Sequence, residues 1–201
     1  MHLLKEKILP RQISREEISA LKKAHGIRRI PDYFSSLLYA AEQMELSAEE
    51  KKDLGIIYVS HLGPVGQVHK YVEDLLTYPP DQCSPAFFSH SVFNAPAAFL
   101  TKHLNIRGSS LCVCGFQQII EASVLTAYAW LNTAYCPRVL VIYSDEEVEI
   151  STKISELTGL KTFQKNHLLL LEKGKEENRT KDFLPGQLIT KIKQQHHYGE
   201  E

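Results

Sequence analysis

The stretch RGSSLCVCGFQQIIEASVLTAYAWL, residues 107–131, decides the fold class of this chain. It contains the short apolar run Leu111–Cys114, which predicts a strand, and then Gln117–Leu131, which predicts a long helix. An α/β enzyme often carries its nucleophile where such a strand turns into a helix. Cys112 and Cys114 lie just before that turn, so the first question is whether either is a nucleophile.

Strands and helices alternate along most of the chain. The apolar runs Gly55–Ser60, Arg138–Tyr143 and Asn166–Leu171 predict buried strands. Helices are predicted before and between these strands, beginning near Ser14, Pro31, Ser47, Val65 and Asn94. The alternation predicts a layered α/β domain whose sheet is at least partly parallel.

Length and composition favour one soluble domain. We expect it to cover residues 1–174, whereas residues 175–201 predict a polar extension with a short helix over Leu188–Lys193. The net charge of −1 gives no electrostatic footprint for nucleic acid or an anionic membrane. No apolar run approaches the roughly 18 residues that span a bilayer or forms a signal peptide. A cytoplasmic protein is therefore expected.

The cysteines allow several interpretations. Four of them are too few for a disulfide framework, and Cys112 and Cys114 lack the two further nearby ligands that a metal would need. A redox pair is disfavoured because strand residues two apart have Cα atoms about 6–7 Å apart. The preferred interpretation is that both thiols are small core residues on a central strand. No metal and no cofactor is expected, and no phosphate-binding loop is visible.

Two other features remain open. The partners of a Cys–His dyad are often distant in sequence, so scattered histidines such as His61 and His90 stay candidates. The segment SDEE, residues 144–147, follows the strand Arg138–Tyr143, where α/β proteins often place site residues. A solvated acidic turn is the preferred interpretation of that segment.

The segment SPAFFSHSVFNAPAAFLTKHLNIRGSS, residues 84–110, resembles the N-terminal half of β-ketoacyl synthases. It is most similar to a family of short members that carry a pattern close to SPxxFSxSVHNAxAG. Phe93 replaces the histidine of that pattern, and the matching residues are Ser84, Pro85, Phe88, Ser89, Ser91, Val92, Asn94, Ala95 and Ala97. The resemblance covers Arg11 to about Glu172.

The resemblance implies a thiolase-like fold, here a layered α/β/α half-domain with a mixed, mostly parallel sheet. A complete enzyme has two similar halves, one with the acyl-accepting cysteine and the other with two histidines, or a histidine and an asparagine. This chain is about half that length. In the family's enzymes the nucleophilic cysteine lies where the strand that corresponds to Leu111–Cys114 turns into the following helix, because a helix N-terminus lowers a thiol pKa. That position falls on Gly115, Phe116 or Gln117, none of which is cysteine.

The implied function is therefore accessory. Chain length factors, the inactive partners of ketoacyl synthases, commonly carry glutamine at this position, and Gln117 would match it. We expect a non-catalytic subunit that pairs with a full-length β-ketoacyl synthase and an acyl carrier protein in bacterial fatty-acid or aryl polyene-like polyketide biosynthesis. In such a subunit Ile119, Ile120 and Val124 would line the tunnel of the growing chain or pack in the core.

Two alternatives remain. One is an acyl-transferring or condensing enzyme of the β-ketoacyl synthase class, with Cys114 as nucleophile and His61 or His90 as its base. The other is a self-associating binding module, such as a homodimer, in which the resemblance reports the fold alone.

Overall fold

The computed structural model describes residues 1–174 and 182–196, and a five-stranded sheet forms its centre. The strands are β1 (His2–Pro10), β2 (Leu54–Ser60), β3 (Ser110–Cys114), β4 (Arg138–Tyr143) and β5 (Lys165–Glu172). Their order across the sheet is β1-β5-β4-β2-β3. β2 is parallel to both β3 and β4, whereas β5 is antiparallel to both β4 and β1. Four of the five strands therefore run in one direction.

Helices cover both faces of this sheet, and within the described residues none is long and apolar enough to cross a bilayer. Their bounds are α1 (Arg15–Ala24), α2 (Asp32–Glu42), α3 (Ala48–Lys51), α4 (Val65–Thr77), α5 (Pro85–Ser91), α6 (Ala95–His103), α7 (Ile119–Asn132), α8 (Glu149–Thr158) and α9 (Pro185–Gln195).

Side chains alternate along β2 and so divide the core into two clusters. Ile56 and Tyr58 belong to a cluster shared with α1, α2 and α6. Ile57 and Val59 belong to a second cluster shared with α7 and α9. Both faces of the central strands are buried, which is why β2 and β4 read as continuous apolar runs. The predicted α/β/α layering and mixed sheet are confirmed.

The position of β3 differs from the prediction. Its thiols were expected on a central strand, but β3 lies at one edge of the sheet, with β2 as its neighbour in the described structure. Its residues are half-buried or exposed. Strand order depends on connections and packing far along the chain, so the local apolar pattern did not reveal it.

Two predicted helix caps are confirmed and one is wrong. The hydroxyls of Ser14 and Ser47 accept backbone N–H groups from Glu17 and Glu50, whose carboxylates bind back to the serine N–H groups. Asn94 precedes α6, but its side chain makes no capping hydrogen bond. Its backbone is already helical, with φ −87° and ψ −2°, rather than extended as a capping residue requires.

Three elements were missed. β1 mixes leucines with charged residues because it is the other edge strand, half-exposed along its length. α5 was interpreted as a loop, yet Pro85 occupies its first turn, where a missing N–H does no harm. α8 follows the acidic segment that was interpreted as a solvated turn.

The helix predicted over Leu188–Lys193 is confirmed and extends over the whole of α9. Leu188 and Ile192 are fully buried in the second cluster, where α9 packs against α7. Residues 182–196 therefore contribute to the core of the domain. The boundary at residue 174 stays a prediction, and residues 175–181 and 197–201 of the polar extension lie outside the described residues.

We predict that Ile192→Ala lowers the free energy of unfolding by about 2–5 kcal/mol, because it opens a cavity between α9 and α7. Urea denaturation of the full chain measures this change. Leu184→Ala is the matched control: its side chain is 69% exposed, so we expect a change within about 0.5 kcal/mol. Equal effects of the two variants would show that α9 does not contribute to the folded core.

Candidate functional site

The turn between β3 and α7 holds all three positions where the resemblance would place a nucleophile. Gly115, Phe116 and Gln117 follow the last strand residue, and α7 begins at Ile119 rather than at Gln117 as predicted. The later start has a local cause, since Gln118 adopts a left-handed conformation with φ +55°. No side chain caps this helix end among the described residues. The turn is open to solvent, and the Phe116 side chain is 65% exposed.

Cys112 and Cys114 lie side by side on the strand that leads into this turn. Their sulfur atoms are 3.5 Å apart, and the Cys112 thiol donates to the carbonyl oxygen of Phe93 at 2.9 Å. Both thiols are half-buried. The contact with Cys112 lowers the pKa of Cys114, whereas the same contact and burial raise the pKa of Cys112.

The two histidines considered as bases for Cys114 are engaged elsewhere. His61 Nδ1 contacts a carboxylate oxygen of Asp145 at 2.9 Å, and the His61 ring packs at a tilt against the Phe163 ring. Phe163 belongs to the second core cluster, whereas Cys112 of β3 packs against the first, so the His61 ring lies on the other face of the sheet from Cys112. The ring of His90 packs edge-on against Phe34 in the first core cluster, and burial lowers its pKa. Each histidine therefore has a partner other than Cys114 in the described structure.

A buried carboxylate organises the carboxyl ends of the neighbouring strands. Asp145 follows β4 and is fully buried. It accepts hydrogen bonds from the Ser60 hydroxyl at 2.6 Å, from the backbone N–H groups of His61 and Phe163 at 2.7 and 2.8 Å, and from the N–H of Leu62 at 3.2 Å. Burial acts to raise the pKa of Asp145, but the hydrogen bonds from His61 and the other donors outweigh it and lower the pKa.

The next residue, Glu146, is buried against the start of α4. It accepts from the backbone N–H of Gly66 at 2.8 Å and from the side-chain amide of Gln67 at 2.9 Å. Burial raises its pKa. The interpretation of residues 144–147 as a solvated turn is therefore wrong: the first three residues are buried, and Glu147 is the exposed one. Most partners of these acids lie about 80 residues away, so only their position after a strand signalled a role.

The motif residues that carry the resemblance lie on α5, on α6 and in the short segments next to these helices. Pro85, Phe88 and Ser91 lie on α5, and the Phe88 ring is exposed and packs against Tyr71 of α4. The hydroxyl of Ser91 binds the carbonyl oxygen of Phe88. The other motif positions are the exposed or half-buried Ser84, Ser89, Val92 and Asn94 and the buried Ala95 and Ala97.

The helix residues considered for a tunnel wall are core residues. Ile119, Ile120 and Val124 are all buried in the second cluster. Among residues 1–174 and 182–196, no group of three or more histidine, cysteine or acidic side chains is placed to hold a metal ion.

The family assignment rests on a sequence model. The model of the β-ketoacyl synthase N-terminal domain matches residues 11–176. The chain belongs to this family. A search of curated proteins found no matching sequence. The matched range agrees with the extent of the resemblance noted from the sequence and includes both the motif of residues 84–97 and the β3–α7 turn.

Solved structures confirm the thiolase-like fold of this β-ketoacyl synthase N-terminal domain. A ketosynthase in complex with its chain length factor from Xenorhabdus doucetiae aligns with a TM-score of 0.56 and 18% identity, over 88% of this chain and 81% of that chain. The ishigamide ketosynthase/chain length factor aligns with a TM-score of 0.59 and 13% identity, over 74% and 44% of the two chains.

A type II polyketide synthase acyl carrier protein in complex with its ketosynthase, AntDE:AntF, aligns with a TM-score of 0.61 and 12% identity. That alignment covers 83% of this chain and 54% of the matched one. The β-ketoacyl synthase N-terminal domain thus spans about half the length of the ishigamide and AntDE:AntF chains that it matches, but most of the Xenorhabdus chain.

We predict that Asp145→Asn lowers the free energy of unfolding by about 3 kcal/mol at pH 7, because its donors lose their anionic acceptor. The folded-state pKa is lowered, so this stabilisation is present above the unfolded pKa and disappears as the pH falls through the folded value. Denaturant titrations at several pH values should therefore show the two proteins converging below about pH 4.

Glu147→Gln is the matched control for this carboxylate. Glu147 is the adjacent acid, but it is exposed, and its ion-pair partner Arg11 also donates to the Phe163 carbonyl oxygen and to the Gln164 side chain. Its loss should cost at most about 1 kcal/mol. An Asp145→Asn variant as stable as Glu147→Gln at pH 7 would contradict the structural role of the buried carboxylate.

Proposed function

We propose that this chain is a non-catalytic accessory subunit of the chain length factor type. It would pair with a full-length β-ketoacyl synthase and serve an acyl carrier protein in bacterial fatty-acid or aryl polyene-like polyketide assembly. The observation that carries the proposal is the β3–α7 turn, which presents Gly115, Phe116 and Gln117 but no thiol. Similarity to ketosynthase/chain length factor complexes supports the same assignment.

Cys114 is a poor substitute for the missing nucleophile. It lies on the strand and not in the turn, five residues before the first residue of α7. The favourable effect of a helix N-terminus fades within a turn, so α7 gives little stabilisation to a thiolate at that distance. The candidate bases His61 and His90 are held against Asp145 and Phe34 respectively.

An apolar surface beside the turn favours a protein partner. α7 buries one side in the core, yet its other side exposes Leu125 at 53% and Tyr128 at 40%. Leu111 on β3 and Phe116 in the turn are also exposed. We call these four residues the β3–α7 surface. Helices that are apolar on both sides, as α7 is, are typically covered on both sides. The open edge of β3 also offers backbone N–H and C=O groups for pairing with another chain.

We predict that the purified chain is not acylated by an acyl-thioester such as octanoyl-coenzyme A, because no thiol occupies the turn. Intact mass spectrometry should show no added acyl group, whereas a full-length β-ketoacyl synthase treated in parallel should gain one. Cys114→Ala should cost about 1 kcal/mol of stability and leave the activity of the reconstituted synthase complex unchanged. Acylation that Cys114→Ala abolishes would instead establish the chain as an acyl-transferring enzyme.

We predict that the tagged chain, purified from its own host, forms a stoichiometric complex with a chain about twice its length. Native mass spectrometry measures this directly. Leu125 is exposed in the chain alone, and Leu125→Asp should weaken the complex at least about tenfold, because it would place a charge in the proposed contact. Leu157→Asp on α8 is the control, since that leucine is 86% exposed outside the β3–α7 surface. A homodimer without such a partner would contradict the proposal and favour a self-associating module.

A further inference from the structure

The two thiols of β3 are close enough to react with each other. Cys112 and Cys114 lie on the same side of the strand, and their sulfur atoms are 3.5 Å apart. A disulfide needs a sulfur separation of about 2 Å, so the two atoms must approach by about 1.5 Å. The Cα atoms of strand residues two apart are about 6.6 Å apart, which lies within the upper part of the range that disulfides bridge. The sequence-based objection to a redox pair is therefore not decisive.

The surroundings of the pair favour this movement. β3 is an edge strand whose partner in the described sheet is β2, so its outer side can bend without breaking a second ladder. The bond from the Cys112 thiol to the carbonyl oxygen of Phe93 holds Cys112 beside Cys114. Both side chains are half-buried, which leaves part of each open to a small reagent.

The other two cysteines are held in different places. Cys83 lies between α4 and α5, where its thiol contacts carbonyl oxygens of the segment that ends α4. Cys136 is buried before β4, and its sulfur and the Trp130 ring both lie against Gly55. Among the described residues, Cys112 and Cys114 are the two cysteines whose sulfur atoms contact each other.

We propose that Cys112 and Cys114 form a reversible dithiol–disulfide couple, oxidised by disulfides of small thiols such as glutathione disulfide. The Cys114 thiolate attacks one sulfur of the reagent, forms a mixed disulfide and releases one small-thiol thiolate. Cys112 then loses its proton, attacks the Cys114 sulfur and releases the second small thiol. The chain loses two protons and two electrons, and the reagent gains them as two thiols. The lowered pKa of Cys114 favours it as the first attacking group.

The test uses the full chain carrying Cys83→Ser and Cys136→Ser, which leaves only the two β3 thiols. After treatment with glutathione disulfide, we expect both thiols to disappear from a thiol titration. The intact mass should fall by about 2 Da in a chain that stays monomeric, and dithiothreitol should restore both thiols. Two separate glutathione adducts, an intermolecular dimer or unreacted thiols would each overturn the proposal.

Two further measurements distinguish reactivity from misfolding. In the same background, Cys112→Ser should stop at one stable glutathione adduct on Cys114, because the resolving thiol is gone. The chain with all four cysteines is free of any disturbance of folding by the background substitutions. After the same oxidation, tandem mass spectrometry of this chain should show the link between residues 112 and 114. A link that instead joins Cys136 to either thiol would overturn the assignment.

Discussion

The hydrogen-bonded carboxylate of Asp145 is the constraint on which the end of the sheet depends. A buried anion costs several kcal/mol unless donors surround it, and here the donors come from the end of β2 and from Phe163 before β5. Three chain segments must therefore meet in one arrangement. Because β2 is the sheet neighbour of β3, this arrangement also fixes where Cys114 and the following turn lie.

Hydrogen bonds to Asp145 join the ends of the neighbouring chain segments, whereas the β3 edge of the sheet is open in the described structure. β3 is short, has one sheet neighbour in the described structure and leads into a helix whose outer side is apolar. Natural proteins normally protect such edges with charges or cover them with other elements, because an open edge and exposed apolar residues promote unselective association. None of the four residues of the β3–α7 surface is charged, and all four are exposed. The proposed partner subunit would cover this surface.

Local sequence patterns predicted the strands that are buried on both faces, but they missed β1, one of the two edge strands. Arg138–Tyr143 was predicted to the residue because a continuous β-branched and apolar run suits a covered strand. β1 was not predicted, because the charged residues that suit its half-exposed edge position interrupt the apolar pattern. The burial of Asp145 and Glu146 was not predictable in the same way, since most of their hydrogen-bond donors lie about 80 residues away. Nor did the spacing of Cys112 and Cys114 reveal their sulfur contact, which depends on rotamers and on the Phe93 carbonyl.

The β3–α7 turn shows why the fold and the activity of this family must be argued separately. Nothing in its backbone requires a thiol: a Cβ at Gly115 would meet only a side-chain atom of Ile119 at 3.4 Å, and the left-handed residue is Gln118. Such a conformation costs a non-glycine residue on the order of 1 kcal/mol, so the surrounding packing and not the turn sequence maintains it. The same strand, turn and helix can therefore carry a nucleophile or lack one without a change of fold. At identities of 12–18%, a shared backbone reports the architecture, and the side chains of the turn together with the uncovered apolar surface carry the functional argument.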